Sequence, residues 1–194
     1  WEWQRMAELV GYHLFYRPMG LPYVYGNSLR RHLRRGDLIA ALADDKSEIP
    51  MHPLGAWRQR VAANAARRWE THLSLTRQNA QQAMDVLSQI AGLDVHRPLK
   101  GVHPSLTYIF VSLQNKRQAD EVLKRGAELG LGITRLFAHP LNRYPSLAPH
   151  LVRTSTPQAQ ALSDRTVTVT TSPYMQPNDS EAIADLFRSV MRGR

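Results

Sequence analysis

Between Trp57 and Ile90, apolar or small side chains return every three or four residues: Trp57, Val61, Ala65, Trp69, Leu73, Thr76, Ala80, Ala83 or Met84, Leu87 and Ile90. The stripe holds for about nine turns, which predicts one long helix with a neighbour along its length or a bend around a core. Gly92 stands where a glycine would end it, since glycine takes the left-handed conformation that commonly follows a last helical turn.

Upstream, Trp3, Met6, Val10 and Leu14 keep the same period and predict a first helix. Arg17 to Asn27 holds two prolines, two glycines and two tyrosines and reads as an ordered, irregular loop. Asn27 or Ser28 can cap a second helix that carries Leu29 and Leu33 inward and is interrupted at Gly36 and Asp37. Lys46 to Gly55, with Pro50 and Pro53, is a connector.

Downstream the rhythm changes. Thr107 to Leu113 (TYIFVSL) is β-branched and aromatic, with apolar residues on both faces, and predicts a central strand covered on both sides. Asn115 to Arg117 turn the chain, and Ala119, Val122, Leu123, Ala127 and Leu129 make a helix ended by Gly130. Ile133 to Ala138 predicts a second strand. Pro157 to Leu162 predicts a short helix with Thr156 as N-cap and proline in the first turn, where a missing N–H costs nothing. Arg165 to Thr171 (RTVTVTT) alternates as a strand with one buried face. A last helix is capped by Asn178, with Glu181 reaching back as in a capping box; Ala182, Ile183, Leu186, Phe187 and Val190 form its inner stripe.

These elements sum to an α+β fold: a small antiparallel or mixed sheet, of three strands or slightly more, with packed helices, preceded by a long helix and an N-terminal helical segment. The expected division is an N-terminal helical and irregular segment over 1–55 and a domain over 56–194.

With 194 residues, 43% of them hydrophobic and 21% charged, the chain can bury a core. No apolar run approaches the length of a membrane span, and no charged segment followed by an apolar run marks a signal peptide, so the expected compartment is the cytoplasm. There is no cysteine, which excludes disulfides and thiolate metal sites. The start at Trp1 rather than Met is what a fragment or processed product would show.

The net charge of +9 is mostly arginine, dense at Arg30, Arg31, Arg34, Arg35 and at Arg58, Arg60, Arg67, Arg68. Such clusters serve phosphates, nucleic acid or anionic lipid, or form a wet helix face or a surface against an acidic partner domain. Tyr12, Phe15, Tyr16, Tyr23 and Tyr25 near Arg17 suit a membrane surface or stacking on bases, or burial against a partner domain. The eight histidines include no HExxH pair, and no serine sits in a G-x-S-x-G elbow, so neither a zinc site nor a hydrolase triad is expected.

Gly130 to Tyr144 (GLGITRLFAHPLNRY), read with its flanks, resembles the C-terminal small domain of the DegT/StrS sugar aminotransferases, fold-type I enzymes that use pyridoxal phosphate (PLP). Arg77, Asn79 and Ala80 (TRQNA) are similar to the Arg-x-Asn-Ala step that opens that domain, and GLGIT resembles its Gly-Ile/Val-x-Thr turn. Arg143, Tyr144 and Pro145 look like the end of its substrate-side loop, and Pro157, Ala159 and Leu162 like the short helix beyond. The matching order runs from the long helix to the C-terminus. Leu136 and Phe137 stand where the family often has His-Tyr, and Thr171, Ser172 and Pro173 where it often has Leu-Pro. Those departures weigh against the usual nucleotide-sugar substrate.

The resemblance implies a role as part of a PLP-dependent aminotransferase. The cofactor's lysine would lie on a large domain, covalently attached or separate, and the substrate would be an amino sugar or another small anion. None of Lys46, Lys100, Lys116 and Lys124 has a Ser-x-x-Lys setting, so none is assigned to the cofactor. His139, Asn142, Arg143 and Tyr144 are the expected substrate-binding residues: Arg143 for a bidentate grip on a carboxylate or phosphate, Tyr144 for stacking on or hydrogen bonding to a sugar. The alternative is a free-standing basic module without chemistry, contacting nucleic acid or an anionic surface through its arginines.

Overall fold

A computed structural model describes residues 2–15, 27–37, 54–136, 138–144, 147, 150–151 and 155–193. In chain order the described elements are α1 (Glu2–Phe15), α2 (Asn27–Arg34), α3 (Ala56–Ala66), α4 (Trp69–Leu87), β1 (Asp94–His96), β2 (Tyr108–Ser112), α5 (Lys116–Leu129), β3 (Ile133–Thr134), a 3₁₀ turn (Leu141–Arg143), α6 (Pro157–Arg165), β4 (Thr166–Thr170) and α7 (Asp179–Arg192). The four strands form one sheet in the order β1-β2-β4-β3, antiparallel throughout. The fold is α+β, as the sequence predicts.

Strand register decides which residues share a face, because side chains alternate along each strand. Val95, Val111 and Val167 lie in one row, and Ile109, Val169 and Ile133 in another. Helices α4, α5 and α7 cover this face with Ala80, Met84, Leu87, Ala119, Val122, Ile183 and Phe187, all buried. Helix α5 approaches β3 closely: a Cβ on Gly126 would meet the Ile133 Cβ at 2.8 Å. Asn115 starts α5 by accepting the Gln118 N–H at 3.0 Å, and Gly130 ends it at φ 69°.

The other face carries the rows Asp94, Ser112, Thr166 and His96, Phe110, Thr168, Thr134. Here the expectation of a strand covered on both sides fails: Tyr108 is 41% and Phe110 37% exposed, while Ile109 and Val111 are buried. The apolar character of Tyr108 and Phe110 gave no sign that the described helices α4, α5 and α7 all pack on the opposite side. β4 reverses the error, since Thr168 on the predicted polar face is buried and donates its hydroxyl to the Thr134 carbonyl at 3.1 Å.

The predicted long helix is two. It breaks at Arg67 and Arg68, where Arg68 takes φ −104° and ψ 3°. None of α3 is buried, and burial along α4 begins at Thr76. α4 ends at Leu87, and Gly92, at φ 80°, closes the turns that lead into β1.

Two family-like side chains of α4 tie loops to the core. Arg77 donates to the carbonyls of Pro104 and His103 at 2.9 and 3.1 Å, and Asn79 to that of Ser172 at 2.8 Å. Thr171, which departs from the family pattern, donates its hydroxyl to the carbonyl of Leu106, and its N–H bonds the Thr107 carbonyl at 3.0 Å. Leu106 sits at φ 57°, a conformation costly for a branched side chain, so these bonds hold a strained entry to β2.

The capping box predicted for α7 does not form. Asn178 has the helical angles φ −83° and ψ −11° and makes no side-chain cap bond. Asp179 instead accepts the Gln176 N–H at 2.8 Å, and Glu181 pairs with Arg188 at 3.3 Å. The inner stripe of α7 is as expected except that Ala182 is exposed.

The N-terminal prediction is met in outline. α1 forms, yet Trp3, Val10 and Leu14 remain exposed, as do Tyr12 and Phe15. α2 lies against α5. Tyr16, Arg17, Tyr23, Tyr25, the side chains of Leu29 and Leu33, and the connector as far as Pro53 lie outside the described residues.

Candidate functional site

β3 is shorter than the predicted Ile133 to Ala138, and the cause lies at Arg135. Its side chain turns inward, 2% exposed, and donates to Asp120 on α5 at 2.7 Å and to the Asp164 carbonyl on α6 at 3.3 Å. Pairing with β4 therefore stops at Thr134, and the chain leaves the sheet as a loop. The loop is closed by its own side chains: Tyr144 is buried, and its hydroxyl oxygen accepts the Ala138 N–H at 3.1 Å. Ser163 on α6 donates to the Ala138 carbonyl at 3.4 Å.

This loop, α6 and the open sheet face enclose a cleft of about 960 Å³. Phe110, Thr166 and Thr168 form its floor, Ala159, Leu162 and Ser163 one wall, and Leu136, His139, Pro140, Leu141 and Asn142 the other, with His96, Leu151 and Thr156 at the margins. The volume falls within the range of small-molecule sites. Leu136, Leu141, Leu151 and Leu162 line this hollow and are exposed.

Its polar groups bond mostly among themselves. His96 Nε2 and Ser112 Oγ lie 2.8 Å apart, and Ser112 Oγ lies 3.0 Å from Thr166 Oγ1, so an imidazole and two hydroxyls form a chain across three strands. Asp94 lies 3.9 Å from His96 Nε2 on the sheet edge. Thr156, at the N-cap position of α6, makes no cap bond and donates its hydroxyl to Asn142 Oδ1 at 3.3 Å. His139 Nδ1 is buried with no hydrogen-bond partner.

Of the expected site residues, the structure brings His139 and Asn142 into the cleft wall. Tyr144 lies buried beneath the loop it closes, and Arg143 is exposed and is not among the cleft's described lining residues. His96, Ser112 and Thr166 were missed, because only the register of three strands brings them together. Arg135 was missed as well; its signal was a lone cation following the buried strand.

Lys116 pairs with Asp120, Lys100 and Lys124 are exposed, and none lines the cleft; Lys46 lies outside the described residues. Among the described residues no group of three or more histidines and carboxylates could hold a metal, and no helix is long and apolar enough to cross a membrane.

No protein-family profile matches the sequence, and no curated protein matches it significantly. Solved structures do match in fold. The aminotransferase TlmJ from Streptoalloteichus hindustanus superposes with a TM-score of 0.61 and 19% identity over 81% of this chain and 44% of its own. A DegT DnrJ EryC1 StrS aminotransferase from Brucella abortus gives 0.56 and 15% over 68% of this chain and 34% of its own. GDP-4-keto-6-deoxymannose-3-dehydratase, solved with a trapped PLP-glutamate geminal diamine, gives 0.58 and 12% over 72% and 38%. The chain thus spans less than half the length of each of these neighbours, and at these identities the likeness is one of fold. The architecture resembles a part of the DegT/DnrJ/EryC1/StrS-type sugar aminotransferases.

Proposed function

We propose that this chain is the C-terminal small domain of a PLP-dependent aminotransferase of the DegT/StrS kind, and that it shapes the substrate side of the cleft. The domain begins near residue 56, and a large domain, covalent or separate, supplies the Schiff-base lysine and the cofactor. PLP would act there as the electron sink for transfer of an amino group. The observation that carries this reading is the match of 81% of the chain to less than half of an aminotransferase. On this reading His139 and Asn142 meet the substrate, Tyr144 positions their loop, and exposed Arg143 stands ready for a carboxylate or phosphate at the rim.

The test is to read the source frame upstream of Trp1 and express the chain together with what it encodes. A large α/β domain whose lysine forms a borohydride-reducible PLP imine, with transamination only when both parts are present, is the expected result. A start codon close to Trp1, or transamination by this chain alone, overturns it.

The arginines favour a second reading. α2 has no acidic residue and exposes Arg31 and Arg34, and α3 with its following turn has none while exposing Arg60, Arg67 and Arg68. If they bind phosphates, affinity for duplex DNA falls with a log–log salt slope of about 0.9 per phosphate contacted. Absence of retention on DNA and on anionic vesicles at low salt rejects this reading.

A further inference from the structure

A second hollow, of about 550 Å³, lies between the start of α4 and the turn that follows β4. Arg68, Trp69, His72 and Leu75 come to it from the first, Pro173 and Tyr174 from the second. Trp69 and His72, one turn apart on α4, stack with ring centroids 6.1 Å apart and planes 10° from parallel. Tyr174 stands edge-on to His72 at 6.5 Å and 77°. The stripe of α4 that buries Thr76, Ala80 and Ala83 thus runs on backward through His72 and Trp69 into a cluster of rings.

These rings are held in place and yet meet water, Trp69 being 53% and Tyr174 79% exposed. The backbone that presents Tyr174 is fixed on both sides. Its N–H donates to Ser172 Oγ at 3.2 Å, its carbonyl accepts from the Gln176 amide at 3.2 Å, and the Ser172 carbonyl accepts from Asn79 on α4 at 2.8 Å. A flat ligand ring laid on such a platform gains contact without first having to order it.

The charge beside the platform is positive. Arg68 lines the hollow, and Arg60 and Arg67 are exposed on α3 and on the turn that joins it to α4. From Arg60 to Leu75 three arginines stand against the single carboxylate of Glu70. Rings set among guanidinium groups match the chemistry of an unpaired nucleotide, whose base stacks while its phosphate pairs with a cation. A base inside a duplex offers a protein its edges rather than its faces, so a stacking platform selects single strands.

We propose that this hollow binds single-stranded nucleic acid, one base lying against Trp69 and Tyr174 and an adjoining phosphate meeting Arg68. This rests on the reading of the arginines as phosphate contacts given above and changes their ligand from duplex to single strand.

The experiment uses the full 194-residue chain and a fluorescein-labelled oligothymidylate of about ten nucleotides, within the usual footprint of a single-strand site, read by anisotropy at low salt. Expected is saturable binding, about tenfold tighter than that of the same strand annealed to oligoadenylate. Trp69→Leu and, independently, Tyr174→Ala should each weaken the strand about tenfold, the loss of one stacked base. Arg68→Ala should lower the log–log salt slope by about 0.7, one phosphate on a single strand. Trp69 and Tyr174 are exposed, so their variants should keep the far-ultraviolet circular dichroism of the parent; Leu129→Ala, exposed on α5, should change nothing.

Duplex binding as tight as single-strand binding, or single-strand binding indifferent to both ring variants, overturns the proposal. If that binding still falls with Arg68→Ala, the phosphate reading stands without it. Displacement by thymidine monophosphate at the concentration at which unlabelled strand displaces assigns the hollow to a free nucleotide and overturns the strand. Absence of binding to either form overturns the proposal and the phosphate reading together.

Discussion

Tyr144 and Ala138 hold each other across the cleft loop, the buried phenol oxygen accepting the Ala138 N–H at 3.1 Å. Tyr144→Phe keeps the ring and removes that acceptor. Stability should fall by about 1–2 kcal/mol, read as a lower urea midpoint at unchanged slope. Equal stability in the variant would mean that ring packing alone closes the loop.

Gly126 lets α5 rest on β3. Gly126→Ala gains up to about 1 kcal/mol of helix propensity, but the new methyl falls 2.8 Å from the Ile133 Cβ, an atom fixed close to the backbone. Overpacking should prevail, with a net loss of about 1–2 kcal/mol in denaturant unfolding. A rise in stability would show that the two elements separate freely.

Asp120→Ala removes the ion pair of the Arg135 guanidinium, whose side chain is 2% exposed, and leaves it the longer bond to the Asp164 carbonyl. Because Asp120 is itself partly exposed, the loss should be about 2 kcal/mol, below that of a fully buried pair. Arg135→Met in the same background should recover part of it. A double-mutant cycle with no coupling would count against the pair as the reason β3 ends where it does.

Asp85 is held below the ordinary carboxylate range by the hydrogen bond from Arg97 and then by that from Gln81. A folded value below the unfolded one contributes stability that is complete above the ordinary value near about 4 and is lost as pH falls through the folded value. Asp85→Asn should therefore flatten the acid limb of the stability profile by lowering stability slightly at neutral pH, while parent and variant converge at the acid end. The carboxyl titration of Asp85, followed by NMR in the parent chain, should have its midpoint below that of an unpaired aspartate.

The core face was legible because local pattern and long-range packing agree there: Ile109 and Val111, Val167 and Val169, and Ile183 with Phe187 all point inward as their periods predict. The helix break was not, since Arg67 and Arg68 are good helix formers and no glycine or proline marks the site. Tyr108 and Phe110 misled because an exposed aromatic on a strand reads the same as a buried one until the neighbouring layers are known. In the cleft, His139 and Asn142 were visible from their loop. His96, Ser112 and Thr166 come from positions far apart in sequence and acquire meaning only through strand pairing. Arg135 ended a strand through a partner fifteen residues away.

The eleven residues of α3 bury none of their side chains, whereas α4 sinks into the core from Thr76 onward. A helix this short is marginal when no packed face supports it. Order along this stretch is therefore graded, with amide protection weakest in α3 and rising along α4 towards Leu87. Trypsin acting at Arg67 or Arg68 should pare the chain back towards a folded remainder that starts near Trp69, making this junction the natural place at which to cut, fuse or exchange the domain.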